Sequence, residues 1–332
     1  MAEAFKGLAL CKQFNAEMMR RKVRRSSLDT AVETMKLIRK FVVNEKYNSV
    51  EEMLNIIADY LHFLGQTFPS ELVLRNAFLI FKKLVREEST RILEETDEES
   101  AVDSLTNLWH DKKKYADPAD MKKLKKNLIE SIKEVVLEME GCRECVVSRA
   151  VDLIQSRDVL IIYALNSSPT LQAFVDNRKQ KVRIFSVVDS TEIESSPDYL
   201  SPVTLCDVGG KMCEVTKVFL PGVAVFPDGS CLVPAGALSI CLSAQRHSVP
   251  VNVLISFYKI TPFFVPDLSE VNPMQGPGLP FACAKKITGK VQVIQPAFDV
   301  LPASLVSNYV TNTSSILPSH VYRLIGDYYH KE

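Results

Sequence analysis

The chain has 332 residues, of which 40 are lysine or arginine and 40 are aspartate or glutamate, so its formal net charge is zero. Without a basic excess it lacks the field that gathers nucleic acid or an anionic membrane, and we expect neither as a direct partner. No apolar run reaches the roughly 20 residues that cross a bilayer, and the first residues do not read as a signal peptide. We therefore predict a cytosolic protein.

The eight cysteines are too scattered to form a disulfide framework, and we expect reduced thiols. Cys142 and Cys145 form the one C-x-x-C pair. It lacks the second pair or the nearby histidines that would complete a zinc site. We predict two ordinary helix thiols, with no bound metal and no cofactor.

The composition changes sharply near residue 150. Of the first 150 residues 51 are charged, against 29 of the remaining 182, while two prolines lie in the first part and fifteen in the second. A charged helical region followed by buried strands and many turns explains both trends. We predict an N-terminal all-helical domain at 1–145 and a C-terminal α/β domain at 146–332.

Helical periodicity runs through the first part. Ser49 and Glu52 match a capping box, Gly65 matches a helix stop, and six apolar residues fall between them at helical spacing: Met53, Ile56, Ile57, Tyr60, Leu61 and Leu64. Similar stripes predict three more helices: Leu28, Val32, Met35, Ile38 and Val42; Leu74, Phe78, Phe81 and Val85; Leu124, Leu128, Ile132, Val135 and Met139, ending at Gly141.

A basic run precedes the first of these three stripes. It comprises Arg20, Arg21, Lys22, Arg24 and Arg25 and is followed directly by Ser26 and Ser27. The run is typical of a solvated helix end. A docking patch and a protein-kinase target are the alternatives.

The second part contains continuous apolar runs, which indicate strands covered on both faces in a parallel sheet. The runs are 159–163, 182–188, 203–206, 216–220 and 249–257, and the crossover helices are predicted at 168–177 and 235–247. Ser168 and Pro169 are typical of the N-cap and first residue of a helix. The predicted fold is α/β, a Rossmann-like doubly wound sheet. No glycine-rich phosphate cradle follows its first strand.

Four stretches resemble a known family. The run VFLPGVAVFPDGSCLVPAGALSICLSAQRHSVPVNVLIS resembles the regulatory subunits of eukaryotic translation initiation factor 2B and their relatives, the sugar-phosphate isomerases. Residues 298–306, FDVLPASLV, resemble the aspartate-to-proline signature of that family. The stretches LEMEGCRECVVSRAVDLIQSRDVLIIYALNSSPTLQAFV and PSHVYRLIGDYYH are similar to the beta-type branch. The segment 189–202 is shorter than the crossover helix that the family carries there.

The resemblance implies that the isomerase chemistry is lost. The relatives use a cysteine after the first strand, an aspartate after an N-G turn and an Asn-Lys pair. At these positions this chain has the set Tyr163, Ala164 and Leu165, then Ser230, then Val233 and Pro234. We expect a vestigial pocket with no catalytic residue, lined by Tyr163, Ala164, Leu165, Asp228, Gly229, Ser230, Val233 and Pro234.

The resemblance further implies a non-catalytic regulatory subunit of the guanine-nucleotide exchange complex that acts on translation initiation factor 2. Its partners would be alpha, gamma, delta and epsilon subunits and that factor, and it would help sense phosphorylation of the factor's alpha subunit. The alternatives are an isomerase of the methylthioribose-phosphate or ribose-bisphosphate type, and a non-catalytic sensor of a sugar phosphate or nucleotide.

Two sets of residues are candidates for protein contacts. The side of the 120–140 helix opposite its apolar stripe is predicted to meet initiation factor 2 through Lys125, Lys126, Asn127, Ser131 and Glu134. The carboxyl segment is predicted to pair with another subunit through Asp299, Pro302, Asn308, Tyr322 and Tyr328. Asp299 is also predicted to cap a helix that starts near Pro302.

Overall fold

A computed structural model describes residues 4–20, 26–45, 47–98, 121–178, 182–188, 199–262, 264, 272–275 and 294–329. The chain divides into two compact units. The helical unit takes its described residues from 1–141 and 326–332, and the α/β unit takes them from 142–325. The predicted division between residues 145 and 146 stays a prediction.

The helical unit is built from long amphipathic helices. They are α1 (Ala4–Arg20), α2 (Ser27–Asn44), α3 (Val50–Thr67), α4 (Leu72–Glu98) and α5 (Met121–Ser148), the last of which belongs to this unit as far as Gly141. Helix α4 packs against α2 and α3, and α1 packs against α3. Fully buried side chains fill their interior: Met35, Ile38, Phe41, Met53, Ile57, Leu64, Phe81, Leu128 and Ile132.

The α/β unit contains a seven-stranded sheet in the order β10-β9-β7-β4-β1-β2-β3. Its strands are β1 (Val159–Tyr163), β2 (Arg183–Val188), β3 (Leu200–Thr204), β4 (Lys217–Pro221), β7 (Val251–Leu254), β9 (Asn308–Val310) and β10 (Ser315–Ile316). All neighbours pair parallel except β9 with β10. The sheet order reverses direction between β1 and β4, the place where doubly wound folds hold ligands.

A second, antiparallel sheet lies in the same unit. It comprises β5 (Ala224–Val225), β6 (Cys231–Pro234) and β8 (Phe298–Leu301), in the order β5-β6-β8. The described α-helices that follow α5 are α6 (Ala150–Leu153), α7 (Pro169–Asp176), α8 (Val208–Lys211), α9 (Ala237–Arg246) and α10 (Val321–Tyr328), the last of which belongs to this unit as far as Ile325. Phe174 on α7 packs against Phe219 on β4, with ring centroids 5.1 Å apart, and joins the helix to the sheet.

The structure confirms the predicted fold class, and it differs from the sequence-based prediction in detail. Helix α3 continues past Gly65 to Thr67, and α5 continues past Gly141 to Ser148. Neither glycine has a positive φ, so neither ends its helix. On α5 it is Val136, not Val135, that is buried beside Met139. The shortened crossover at 189–202 lies mostly outside the described residues, and β3 begins at Leu200, three residues before the predicted strand.

Candidate functional site

The carboxyl edge of the parallel sheet is where this fold would hold a ligand, and Tyr163 occupies its centre. Tyr163 is the last residue of β1, and its hydroxyl donates a hydrogen bond to the carbonyl oxygen of Ala235, just before α9. Ala164 follows with a φ of 54°, the left-handed region, and turns the chain away so that Leu165 enters the core. A large aromatic ring thus stands where the relatives are expected to carry a small reactive cysteine.

Asp299 occupies the N-terminus of α9. One carboxylate oxygen of this β8 residue accepts the backbone N–H of Gly236 at 2.8 Å and that of Leu238 at 3.1 Å. The first N–H groups of a helix have no partner within the helix and attract anions. Asp299 therefore takes two donors that an anionic ligand would otherwise use.

This finding corrects the predicted role of Asp299. Residues Ala303–Leu305 form only a short 3₁₀ turn, and its N-cap, Pro302, makes no side-chain cap bond. The helix that Asp299 caps lies about 60 residues earlier in the chain. The sequence-based prediction assumed that a cap lies next to its helix. In the structure β8 pairs with β6, so that Asp299 lies opposite Val233 and its carboxylate reaches the start of α9.

The second half of the predicted pocket is the turn between β5 and β6. Asp228 is exposed, and its carboxylate accepts hydrogen bonds from the backbone N–H of Ser230 at 2.9 Å and the hydroxyl of Ser230 at 2.6 Å. Gly229 has a φ of +79°. The buried Tyr309 hydroxyl donates to the Gly229 carbonyl oxygen at 2.6 Å. The polar groups of this turn are therefore used to hold the turn itself.

Cys231 offers no alternative nucleophile. Its side chain is fully buried at the start of β6. Burial is the main cause that raises the pKa of this thiol to about 12, and the negative charge of Asp228 adds to it. Because the thiolate is the reactive form, a thiol with so high a pKa is inert near neutral pH.

The structure does not bring the predicted pocket residues together at one point. Tyr163 reaches Ala235 beyond one end of β6, whereas Ser230 precedes its other end. Ala235 lies five positions after Ser230, which at strand spacing is about 16 Å. Val233 and Pro234 belong to the Tyr163 end, and Val233 is fully buried. The predicted single pocket is thus two sites, and each is occupied by the chain's own side chains.

Two of the five predicted contact residues on α5 face inward. Lys125 donates to the carbonyl oxygen of Glu45 at 2.7 Å, and its ammonium lies 4.7 Å from the centre of the Tyr47 ring. Burial lowers the pKa of Lys125, an effect that the negative charge of Glu45 partly offsets. The Ser131 hydroxyl donates to Glu88 on α4 at 2.9 Å.

The prediction that both side chains are exposed is therefore wrong. At 100° per residue they flank the apolar stripe instead of lying opposite it. Lys126 and Glu134 are exposed, as predicted, and Asn127 is only partly exposed.

The predicted subunit-interface residues differ from one another in exposure. Tyr322 is 59% exposed and Pro302 is exposed. Asn308 on β9 donates to Asn252 on β7 at 3.5 Å, within the sheet. Tyr328 is partly exposed at the end of α10. All of them stay candidates for a subunit interface, although the carboxylate of Asp299 already caps α9.

The described residues offer neither a metal site nor a membrane span. Within their ranges, no group of three or more histidine, cysteine, aspartate or glutamate side chains could hold a metal ion. In the same part of the chain, no helix is both long and apolar enough to span a membrane.

Comparison with known proteins identifies the family. The pattern of the initiation factor 2 subunit family matches residues 23–201 and 200–318. This chain belongs to that family. Two curated relatives are both named translation initiation factor eIF2B subunit beta. The one from Dictyostelium discoideum is 29% identical over 220 residues, 62% of this chain and 56% of that protein. The one from Schizosaccharomyces pombe is 20% identical over 95% of this chain and 94% of that protein.

Solved structures agree on the fold. eIF2B beta from Chaetomium thermophilum has a TM-score of 0.69 at 19% identity, covering 96% of this chain and 90% of that one. The tetrameric eIF2B-beta2-delta2 complex from C. thermophilum gives 0.67 at 19% identity, covering 99% of each chain. A 5-methylthioribose 1-phosphate isomerase from Pyrococcus horikoshii gives 0.57 at 13% identity, covering 95% of this chain and 86% of that one. The predicted beta-type family membership is confirmed.

Sequence reasoning missed two residues that shape this region. Tyr309 is fully buried, and its hydroxyl reaches Gly229 across 80 residues of sequence. Gly236 has a φ of +97°, and a side chain there would start 2.7 Å from the Tyr163 hydroxyl. The Pro-Ala-Gly triplet before α9 was the one available signal, since glycine just before a helix marks a special backbone conformation.

Proposed function

We propose that this chain is a non-catalytic, regulatory beta-type subunit of the guanine-nucleotide exchange complex that acts on translation initiation factor 2. In this role it works in the cytosol with alpha, gamma, delta and epsilon subunits and helps sense phosphorylation of the alpha subunit of that factor. Family membership and the names of both curated relatives support the proposal.

The side chains at the carboxyl edge of the sheet argue against an active isomerase. Such catalysis needs a proton donor and acceptor within hydrogen-bond reach of a bound substrate. Here the Tyr163 hydroxyl bonds to Ala235 and the Asp299 carboxylate bonds to Gly236 and Leu238. We infer that a sugar phosphate finds the N–H groups of Gly236 and Leu238 at α9 already bonded to Asp299, and finds no reactive thiol after β1.

A delta-type subunit is the proposed direct partner. The C. thermophilum complex that resembles this chain contains beta and delta subunits. The candidate surface is the carboxyl segment that includes Pro302, Asn308, Tyr322 and Tyr328. Of these candidates Tyr322, which is 59% exposed, is a large aromatic side chain available for such a contact.

Native mass measurement of the tagged chain, purified from its source cells, tests the function. The expected particle is a large assembly with dissimilar subunits, including one of the delta type. A dimer or hexamer of identical chains would contradict the proposal.

A steady-state assay of the purified chain with methylthioribose phosphate and ribose bisphosphate distinguishes the two alternative functions. Turnover supports the isomerase, whereas tight binding without turnover supports a sensor.

The contact with initiation factor 2 is proposed for the exposed side of α5, through Lys126, Asn127 and Glu134. Lys126→Glu should weaken binding of the assembled complex to phosphorylated initiation factor 2 by about tenfold, more at low salt than at high salt. Arg75→Glu is the matched control, since it makes the same charge change at an exposed position on α4. Equal affinities of the two variants would exclude this face.

A further inference from the structure

The start of α2 places two consecutive serines in different chemical situations. Ser26 is the N-cap, and its hydroxyl accepts the backbone N–H of Asp29 at 3.2 Å and donates to the Asp29 carboxylate at 2.9 Å. The same carboxylate accepts the Ser26 backbone N–H at 3.2 Å, which completes a capping box. The Ser26 hydroxyl is therefore occupied as both donor and acceptor.

Ser27 is the first residue of α2 and lies outside this network. Its side chain is partly exposed, and it makes no hydrogen bond to any of the described residues. This end of the helix is held by its first turn, for example by the bond from the Thr30 N–H to the Ser26 carbonyl oxygen, at 3.2 Å. Such terminal turns open at little free-energy cost, so Ser27 can reach an extended conformation while the rest of α2 stays folded.

The residues before Ser27 carry a kinase recognition pattern. Arg24 and Arg25, which lie outside the described residues, stand three and two positions before it in the sequence Arg24-Arg25-Ser26-Ser27. Kinases with acidic substrate clefts bind arginines at these two positions through carboxylates, which pair with guanidinium groups in a bidentate geometry. Relative to Ser26, the same arginines stand at the two positions directly before it. Spacing and hydrogen bonding thus select the same serine.

We propose that Ser27 is a phosphorylation site for a kinase that prefers basic substrates. In the reaction the Ser27 hydroxyl oxygen bonds to the γ-phosphorus of ATP, the bond from that phosphorus to the ADP oxygen breaks, and the hydroxyl proton passes to the carboxylate base of the kinase. The product carries a charge of about −1.5 to −2 at the first residue of α2.

The modified helix tolerates this charge. A phosphate at the first position lies beside the unpaired N–H groups of the helix N-terminus, where anions are favoured. Modification of Ser26 would instead break the capping box. The charge of the N-terminal segment, strongly basic from Arg20 to Arg25, falls when Ser27 is modified. Phosphorylation at Ser27 is therefore a change of surface charge that leaves α2 folded.

The test uses the full chain with ATP and the catalytic subunit of cAMP-dependent protein kinase, followed by peptide mapping by mass spectrometry. The expected result is a single phosphate on Ser27 and unchanged helicity by circular dichroism. Ser27→Ala should abolish it, while Ser26→Ala should leave it in place. Arg24→Gln with Arg25→Gln should lower the phosphorylation rate by about tenfold or more.

Three outcomes would overturn the proposal. They are phosphate on Ser26 in the wild-type chain, incorporation that Ser27→Ala does not reduce, and no incorporation under conditions in which a peptide of residues 20–32 is phosphorylated. In the last case the folded helix itself shields the serine. Ser27→Ala changes one partly exposed hydroxyl at a helix end, so this variant should fold, and an unchanged circular dichroism spectrum verifies it.

Discussion

The described helix starts of the helical unit that have side-chain caps use local ones, whereas the α/β unit combines a local cap at α7 with a distant one at α9. In the helical unit, Ser26 caps α2 and Ser49 caps α3 from within the adjoining sequence. In the α/β unit, Asp299 caps α9 from a strand 61 to 63 residues away, and Tyr163 and Tyr309 hold turns that are 72 and 80 residues away. Local caps set where a helix starts, whereas the long-range bonds fix the start of α9 and the turn at Gly229 against distant strands.

The test of this contrast with the largest expected effect on stability is Gly229→Ala. Gly229 has a φ of +79°, and a side chain there would start 2.7 Å from the backbone carbonyl oxygen of Pro318. Left-handed strain and this overlap together should lower the free energy of unfolding by about 3 kcal/mol. Gly210→Ala is the control, because a Cβ added there would meet no atom within 4 Å, and it should change stability little. Urea denaturation measures both, and equal midpoints would refute the close approach.

The next test compares a distant cap with a local one. Asp299→Ala leaves the N–H groups of Gly236 and Leu238 without their acceptor and should cost about 2 kcal/mol of unfolding free energy. Ser26→Ala removes a local cap and should cost about 1 kcal/mol. Asp299 is partly buried, whereas the bonds of Ser26 are exposed, so water compensates less for the loss at α9. A smaller effect at Asp299 than at Ser26, measured by urea denaturation, would contradict this ranking.

The same contrast explains how much of the molecule could be predicted. The Ser49 cap, strand β1 and the N-cap Ser168 all depend on neighbouring residues, and the local sequence pattern located each of them. The Ser26 cap is equally local but was not predicted from the sequence. The division of the pocket residues by β6, and the use of Asp299 at α9, depend on which strands pair. No spacing in the sequence encodes that pairing. The family resemblance pointed to residue positions, but it did not show which groups their side chains contact.

Lys125 is the exception within the helical unit and gives a third test. It reaches the last carbonyl of the α2 region, at Glu45, across 80 residues and lies over Tyr47. Lys125→Ala should lower the free energy of unfolding by about 1 kcal/mol, because a partly buried charge-assisted hydrogen bond and a cation–π contact are lost. Lys126→Ala, at the exposed neighbouring position, should be neutral within about 0.5 kcal/mol. If thermal denaturation finds the two variants alike, Lys125 is a surface residue after all.

The smallest expected effect concerns the opposite, amino end of the sheet, where Asp158 pairs with Lys217. Their charged atoms lie 2.7 Å apart, with 12% of the Asp158 side chain and 25% of the Lys217 side chain exposed. Burial by itself raises the pKa of Asp158, but hydrogen bonds from Lys217, the Gln155 N–H and Thr216 outweigh it, so that the pKa lies below its usual value. The pair therefore favours the ionised carboxylate in the folded chain.

The sign of the pH dependence follows from that lowered pKa. Stabilisation by Asp158 is complete above the unfolded pKa of about 3.9 and is lost as pH falls through the folded value. The difference in unfolding free energy between the wild-type chain and Asp158→Asn should thus be constant from pH 7 to about pH 5 and shrink toward pH 3. Lys217→Met should remove most of this pH-dependent difference, because the ammonium is the main group that favours the charged carboxylate. Urea denaturation at each pH gives the differences, and one that grew on acidification would mean that the folded chain favours protonated Asp158.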